Sequence, residues 1–204
     1  MLLIAIDGID QSGKKTQTGL LLKRLLELNY KVIKFSFPNY ETPVGQLIEK
    51  ILLNEIIVPL EVKHILLSAN RWELKPKIEE YIKKNYIIIF DRYYQSNLAY
   101  GVANGLPLDW LINLDKNLPD CDLTIILDIP PEISFKRKEL NRDVHEKDFN
   151  YLVRVRKCFL ELANKNSWIV IDGNRPISEV HNSIWAIVSE RLKQSKYTGA
   201  KINN

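Results

Sequence analysis

One segment near the amino terminus carries most of the information about architecture: Gly8-Ile9-Asp10-Gln11-Ser12-Gly13-Lys14-Lys15-Thr16. A short apolar run at residues 2–6 precedes it, and an apolar pattern of helical period follows it. Strand, glycine-bounded turn and helix form the context in which backbone N–H groups and a helix N-terminus bind phosphate. Lys14 directly follows the second glycine, where the lysine of such a loop neutralises phosphate oxygens. The segment therefore predicts a nucleoside triphosphate site.

The residue after this lysine departs from the usual pattern. Ser or Thr at that position supplies a hydroxyl to Mg²⁺, whereas this chain has Lys15. Thr16 lies one residue, or about 100°, further round the helix. The spacing between Gly8 and Gly13 fixes Lys14 as the loop lysine, so a shift of register does not restore the hydroxyl. Taken alone, the element has an alternative interpretation as an ordinary glycine-rich turn before a helix.

Composition restricts the class of protein. A chain of 204 residues with 46% hydrophobic and 26% charged residues is typical of one globular domain, which we expect to cover residues 1–204. The longest apolar runs have strand length, so we expect no membrane partner. Because an apolar run begins at residue 2, we expect no targeting peptide, and the distant Cys121 and Cys158 favour a cytoplasmic setting. A net charge of +4 suits an acidic small molecule and is too modest for a nucleic-acid partner.

Apolar runs and helical patterns alternate along the chain. Buried parallel strands are predicted at residues 2–7, 31–37, 86–91, 123–128 and 168–172. Helices are predicted at residues 14–28, 43–53, 59–84, 108–117, 131–139, 148–165 and 177–196. This order predicts a three-layer, doubly wound α/β fold, a five-stranded parallel sheet flanked by helices, with ligands at the carboxyl ends of the strands. Several strands end in aspartate, so polar groups concentrate at that edge.

Three further segments suggest chemistry, each with a structural alternative. Asp91-Arg92-Tyr93 follows the third strand, where a carboxylate can hold Mg²⁺ and an arginine can bind phosphate, or the pair caps a helix. Ser68-Ala69-Asn70-Arg71-Trp72 lies on a long helix, and Arg71 points into a cleft or covers a solvated face. Phe37-Pro38-Asn39-Tyr40 forms the wall of a base pocket or a packed turn.

The region around residues 139–147 is rich in basic residues but lacks helical periodicity. This combination predicts a short mobile lid, and closing loops of this kind bring arginine onto a transferring phosphoryl group. Residues 194–204 are predicted to form a frayed tail.

Together these segments resemble the thymidylate kinases, a family of P-loop nucleoside monophosphate kinases. The resemblance rests on residues 8–17, Phe37-Pro38, Ser68-Ala69-Asn70-Arg71-Trp72-Glu73, Asp91-Arg92-Tyr93 with Ser96, and the basic lid, in family order over nearly the whole chain. It implies ATP-dependent phosphorylation of dTMP to dTDP in the dTTP pathway, with Mg²⁺ as cofactor. It also implies a homodimer.

The resemblance implies roles for individual residues. ATP would be bound by Gly8, Ile9, Asp10, Gln11, Ser12, Gly13, Lys14, Lys15 and Thr16, with Arg137 and Asn174 at the adenine. The acceptor dTMP would be bound by Asp10, Phe37, Arg71, Arg92, Ser96 and Tyr100, and Asp91 would support Mg²⁺. In this family a catalytic arginine comes from the loop or from the lid. The loop position is the uncharged Gln11, so Arg142 is the first choice for this role and Arg137 the second, beside Lys14 and Arg92.

Two further positions depart from the family pattern. Leu67 stands where many members have a phenylalanine that stacks on thymine, and Tyr40 stands where an arginine often contacts the acceptor phosphate. With Lys15, these departures leave two alternatives open. One is a kinase with looser acceptor choice, such as dUMP, another nucleoside monophosphate or a deoxynucleoside. The other is a catalytically weak nucleotide-binding protein.

Overall fold

The computed structural model describes residues 1–137 and 149–193. Its sheet is five-stranded and parallel, with the strand order β2-β3-β1-β4-β5. The strands are β1 (Leu2–Asp7), β2 (Val32–Ser36), β3 (Ile87–Asp91), β4 (Leu123–Asp128) and β5 (Ile169–Asp172). Ile4 in the central strand lies opposite Ile89 of β3 and Leu123 of β4. The predicted doubly wound fold is confirmed.

Helices cover the sheet on both faces. They are α1 (Lys14–Glu27), α2 (Pro43–Leu52), α3 (Leu60–Lys83), α4 (Tyr94–Ala103), α5 (Leu108–Leu114), α6 (Pro131–Arg137), α7 (Phe149–Asn166) and α8 (Ile177–Lys193). The sequence pattern predicts no helix where α4 lies. This helix is buried on almost every side, polar Gln95 and Asn97 included, so it has no alternation of apolar and polar faces to reveal it. The predicted lid at residues 139–147 and tail at residues 194–204 lie outside the described residues.

The core is divided into layers by the alternation of side chains along β1. Ile4 and Ile6 pack with residues of α1 and α8 on one face. Leu3 and Ala5 pack with Phe35 and other aromatic residues on the opposite face. The strands are apolar on both faces because both faces are covered, as is typical of parallel sheets. None of the described helices is long and apolar enough to cross a membrane.

The crevice that a doubly wound sheet offers a ligand lies at the carboxyl end of β1. The adjacent strands β1 and β3 continue into α1 and α4, which pack on opposite faces of the sheet. Helices that diverge in this way leave a space above the strand ends. Gly8 begins the loop there with a φ of 142°, and a Cβ at this position would lie 2.4 Å from the Leu127 carbonyl oxygen. Only glycine fits between the loop and β4.

Candidate active site

The loop between β1 and α1 has the shape that binds phosphate. Gly13, with a φ of 98°, is the N-cap of α1, and Gln11 also has a positive φ of 59°. The Lys14 ammonium lies back over the loop and donates to the carbonyl oxygens of Gly8 at 3.0 Å and Ile9 at 2.6 Å. Burial, followed by repulsion from a neighbouring arginine, lowers the pKa of Lys14 to about 8.

Two cavities open beside this loop. The loop cavity, of about 650 Å³, lies between the loop and the turn before α8. The helix cavity, of about 150 Å³, lies between α3 and α4. The loop cavity is lined by Asp10, Gln11, Ser12, Gly13, Lys14, Lys15, Thr16, Gln17, Ser36, Phe37, Pro38, Tyr40, Asp91, Arg92, Arg137, Gly173, Arg175, Ile177 and Val180. The helix cavity is lined by Asp10, Phe37, Pro38, Tyr40, Leu52, His64, Leu67, Arg71, Arg92, Tyr93, Ser96, Asn97 and Tyr100.

The cavities share one wall, at which Asp10 and Arg92 form an ion pair. Arg92 also donates to Ser96 Oγ at 3.3 Å, and the Tyr100 hydroxyl donates to Asp10 Oδ2 at 3.0 Å. Burial opposes the charge of Arg92, but the nearby Asp10, Tyr100 and Asp7 together outweigh it and raise the pKa of Arg92 well above its usual value. The predicted acceptor residues Asp10, Arg92, Ser96 and Tyr100 therefore lie in one hydrogen-bonded group.

Asp7, to which the sequence analysis assigns no role, anchors this group through hydrogen bonds to Ser96 and to the start of the loop. Its side chain is fully buried and accepts from Ser96 Oγ at 2.7 Å and from the Gly8 backbone N–H at 2.8 Å. Burial raises the pKa of Asp7, and the nearby Arg92 guanidinium, 3.9 Å away, opposes that rise. Its position at the end of the strand before the loop is the sequence signal for this residue.

Arg71 on α3 is held by a carboxylate far away in the chain. Its Nε and Nη2 donate to Asp115 Oδ1 at 3.0 Å and Oδ2 at 2.7 Å. Ser68 Oγ donates to the same carboxylate at 2.7 Å, and both side chains of the ion pair are 3% exposed. This two-point contact fixes the guanidinium plane in the wall of the helix cavity. No sequence signal points to Asp115, which lies 44 residues from Arg71.

The same helix also fixes the loop that follows β2. Asn70 Oδ1 accepts from the Asn39 backbone N–H at 2.7 Å, and its Nδ2 donates to Thr42 Oγ1 at 2.8 Å. Thr42 in turn donates to Glu73 Oε2 at 2.8 Å. These contacts hold the predicted pocket wall, residues 37–40, against both cavities. The Ser-Ala-Asn-Arg-Trp-Glu segment thus contacts both sides of the helix cavity.

The far end of the loop cavity contains Arg137. Its Nη1 donates to the Gln11 carbonyl oxygen at 3.0 Å and its Nη2 to the Gly173 carbonyl oxygen at 3.2 Å, so it joins the loop to the turn after β5. Asn174 does not line this cavity; it is exposed, whereas its neighbours Gly173 and Arg175 line the wall. Arg142 lies outside the described residues.

A metal ion could be held at Asp91. This carboxylate is 9% exposed, lies at the carboxyl end of β3 and lines the loop cavity, as do the exposed Lys15 and Thr16. The described part of the chain contains no cluster of three or more His, Cys, Asp or Glu side chains that could hold a metal alone. A single carboxylate still fits Mg²⁺, which proteins often bind through one or two carboxylates and the phosphates of a substrate.

The fold and the paired cavities define a P-loop kinase of the nucleoside monophosphate kinase class. Comparison with known proteins narrows this class. Residues 6–184 match the family model for thymidylate kinase. The thymidylate kinase of Plasmodium falciparum is 35% identical over 182 residues, which cover 89% of this chain and 86% of that protein. The human thymidylate kinase is 29% identical over 194 residues, which cover 94% of this chain and 91% of that protein.

A solved structure agrees. The thymidylate kinase of Candida albicans superposes with a TM-score of 0.84 at 34% sequence identity, covering 93% of this chain and 92% of that one. The chain belongs to the thymidylate kinase family.

Proposed function

We propose that this kinase transfers the γ-phosphoryl group of ATP to dTMP and so forms ADP and dTDP. The observation that carries the proposal is the wall shared by the two cavities, with Asp10 and Arg92 in it. A triphosphate on the loop and a monophosphate in the helix cavity would meet there, on either side of one cation. Such a meeting point permits direct transfer without a covalent intermediate on the protein.

The residues of the two cavities support a division of labour. Lys14 and the backbone N–H groups of the loop would bind the ATP phosphates, and Arg92 would bind the acceptor phosphate. Asp10 would hold the 3′-hydroxyl of dTMP, in a pocket that Phe37, Ser96 and Tyr100 line. Arg71, whose charge is already balanced by Asp115, would act on the base more than on the phosphate. This last point narrows the role that the resemblance implies for Arg71.

Asp91 would hold Mg²⁺, directly or through water. When bound, the ion would neutralise negative charge on the β- and γ-phosphates. Lys15, exposed at the same cavity, supplies no hydroxyl ligand. We therefore expect Mg²⁺ binding to depend on Asp91 more strongly than it does where Ser or Thr stands at the position of Lys15. A dependence of the rate on Mg²⁺ that stays tight and unchanged in Asp91→Asn would contradict this role.

Arg142 is the proposed catalytic arginine of the lid at residues 139–147, with Arg137 second. The proposal rests on the uncharged Gln11, since negative charge on the transferring group requires a cation near it. Replacing Arg142 by alanine should lower kcat well beyond threefold, whereas a change within about threefold, under roughly 1 kcal/mol, would rule out this role.

A second candidate function, looser acceptor choice, is favoured by Leu67. It lines the helix cavity and offers no aromatic face for the base to stack on. An ADP-release assay with dTMP, dUMP, dCMP and thymidine as acceptors tests both candidates. We expect dTMP to have the highest kcat/KM. A higher value for another acceptor would favour the second candidate, and binding of ATP and dTMP without transfer would indicate a catalytically weak nucleotide-binding protein.

We also propose a homodimer in the cytoplasm. Val62, Ile65 and Trp72 form an exposed stripe along one side of α3, 37%, 44% and 37% exposed. Ile57, in the loop just before this helix, is 92% exposed. A stripe of this kind is expected to be covered by a second subunit. Ile65→Lys should then give a monomer in sedimentation equilibrium, and a wild-type monomer would contradict the proposal.

Both cysteines are free thiols, which supports a reducing compartment such as the cytoplasm.

A further inference from the structure

His64 has a ring nitrogen without a partner beside the helix cavity. Its side chain lies on the same face of α3 as Leu67 and Arg71, three and seven residues further on, and all three line this cavity. His64 is 1% exposed. Within residues 1–137 and 149–193, its Nε2 is buried and meets no hydrogen-bonding group. A buried polar atom in this state costs free energy unless a ligand or water satisfies it.

The contacts of Asn97 establish which ring nitrogen carries the hydrogen. Asn97 Nδ2 donates to the backbone carbonyl oxygen of His64 at 3.4 Å, so Asn97 Oδ1 is the atom that faces His64 Nδ1, at 2.7 Å. An amide oxygen only accepts, so Nδ1 donates. Burial, partly opposed by the Asn97 hydrogen bond, lowers the pKa of His64 to about 4, and the ring is neutral at pH 7. Nε2 therefore presents a lone pair.

Most other side-chain acceptors in this wall are already engaged; the exception is the Tyr93 hydroxyl, which is buried without a partner in the described part of the chain. Ser96 donates to Asp7, and the Asp10 carboxylate accepts from Tyr100 and Arg92. Asn97 Oδ1 accepts from His64 itself. Among the described side chains of the wall, His64 Nε2 and the Tyr93 hydroxyl are thus acceptors left for a ligand, and of these two only His64 Nε2 carries no hydrogen of its own, whereas Arg71 offers donors.

We propose that His64 Nε2 accepts a hydrogen bond from the base of the acceptor nucleotide and so selects a base with an imide N–H. The inference rests on the proposed function, because it takes dTMP as the ligand of the helix cavity. Thymine has one ring donor, N3–H, next to the O4 acceptor. Arg71 can satisfy O4 but not N3–H, and His64 can satisfy N3–H. Cytosine presents the reverse pattern, an amino donor beside a bare N3, and would meet both residues wrongly.

The test compares dTMP with N3-methyl-dTMP, in which a methyl group replaces the one ring donor. In the wild type, we expect the methyl group to lower kcat/KM at least about tenfold. His64→Phe keeps a ring of similar size without either nitrogen, and there we expect the loss to shrink below about threefold. His64→Leu serves the same comparison if the phenylalanine variant does not fold. The difference between the effect of the methyl group in the wild type and its effect in His64→Phe measures the proposed hydrogen bond directly.

Glu61→Gln is the control. It changes an exposed side chain of α3 that lines neither cavity, so the methyl group should lower kcat/KM as much as in the wild type. The proposal is overturned if the methyl penalty is equal in the wild type and His64→Phe, or if Glu61→Gln abolishes it too. A wild-type enzyme that does not phosphorylate dTMP at all overturns the proposed function, and the two failures are distinguishable.

Discussion

The loop cavity and the helix cavity meet at Asp10 and Arg92, but they are held together differently. The phosphate-binding side of the loop cavity is one continuous segment, residues 10–17, whose binding groups are backbone N–H groups and one lysine. The helix cavity takes its side chains from α3, α4 and the loop after β2, and buried pairs such as Arg71–Asp115 fix them. Replacing a residue that fixes a side chain of the helix cavity, as Asp115 fixes Arg71, should therefore weaken dTMP binding far more than ATP binding.

The largest effect is expected where both cavities depend on one residue. Arg92→Ala removes the ion pair with Asp10 and the guanidinium near Asp7, and with them the positive charge that we expect between the two phosphates. We expect kcat/KM to fall about a thousandfold for ATP and dTMP alike, measured by ADP release. Arg92→Lys, which keeps the charge, should recover part of this loss. A loss confined to one substrate would mean that the cavities do not share this wall in the working enzyme.

Asp115→Asn should distinguish most clearly between dTMP binding in the helix cavity and ATP binding in the loop cavity. The substitution keeps the shape of the side chain but leaves the buried Arg71 without its counter-charge, a situation that costs about 3–5 kcal/mol. We expect a lower Tm and a KM for dTMP raised roughly tenfold to a hundredfold, with the KM for ATP nearly unchanged. Asp109→Asn removes an exposed carboxylate from the nearby α5 and should change none of these values. Equal effects on both substrates would contradict the division described above.

Arg137→Ala is the counterpart on the other side. The guanidinium donates hydrogen bonds to the Gln11 and Gly173 carbonyl oxygens. Arg137 lines the loop cavity but not the helix cavity. Its removal should raise the KM for ATP about tenfold, since the nucleotide loses an ordered wall, and leave the KM for dTMP within about twofold. Lys136→Ala, a loss of the same charge one residue earlier on an exposed side chain, is the control. An increase in the KM for dTMP of the same size would count against this assignment.

The smallest effect is a dependence of ATP binding on pH. Burial lowers the pKa of Lys14 to about 8, so in the nucleotide-free enzyme the ammonium loses its proton as the pH rises through 8. Phosphate favours the charged form, so the affinity for ATP should be highest below pH 8 and fall above it, by at most tenfold per pH unit. Calorimetric titrations with ATP from pH 7 to 9 measure this. Affinity that rises with pH over this range would contradict the role of Lys14.

The two regions also differ in what their sequences reveal. The loop is a local structure: its glycines, its lysine and the strand and helix beside it lie within residues 2–28, and the prediction of the sheet follows from similar local patterns. The helix cavity depends on pairs that are close only in the folded chain. Arg71 stands out in its segment, but Asp115 does not, because an acidic residue at a helix end is common on any surface.

Burial accounts for the remaining gaps. The helix α4 carries Ser96, Asn97 and Tyr100 into the site, yet it has no amphipathic pattern because protein surrounds it on almost every side. No sequence signal singles out His64 on α3. Its unpartnered nitrogen becomes evident only when Asn97 is placed beside it.

The central claim is that ATP and dTMP bind on the two sides of the wall formed by Asp10 and Arg92. A crystal structure with a bisubstrate analogue, adenosine and thymidine joined through a chain of phosphates, tests it most directly. We expect the adenosine beside Arg137 and Gly173, the phosphates along the loop and past Arg92, and the thymine between His64 and Arg71. An analogue bound elsewhere, or with its thymidine outside the helix cavity, would contradict the account.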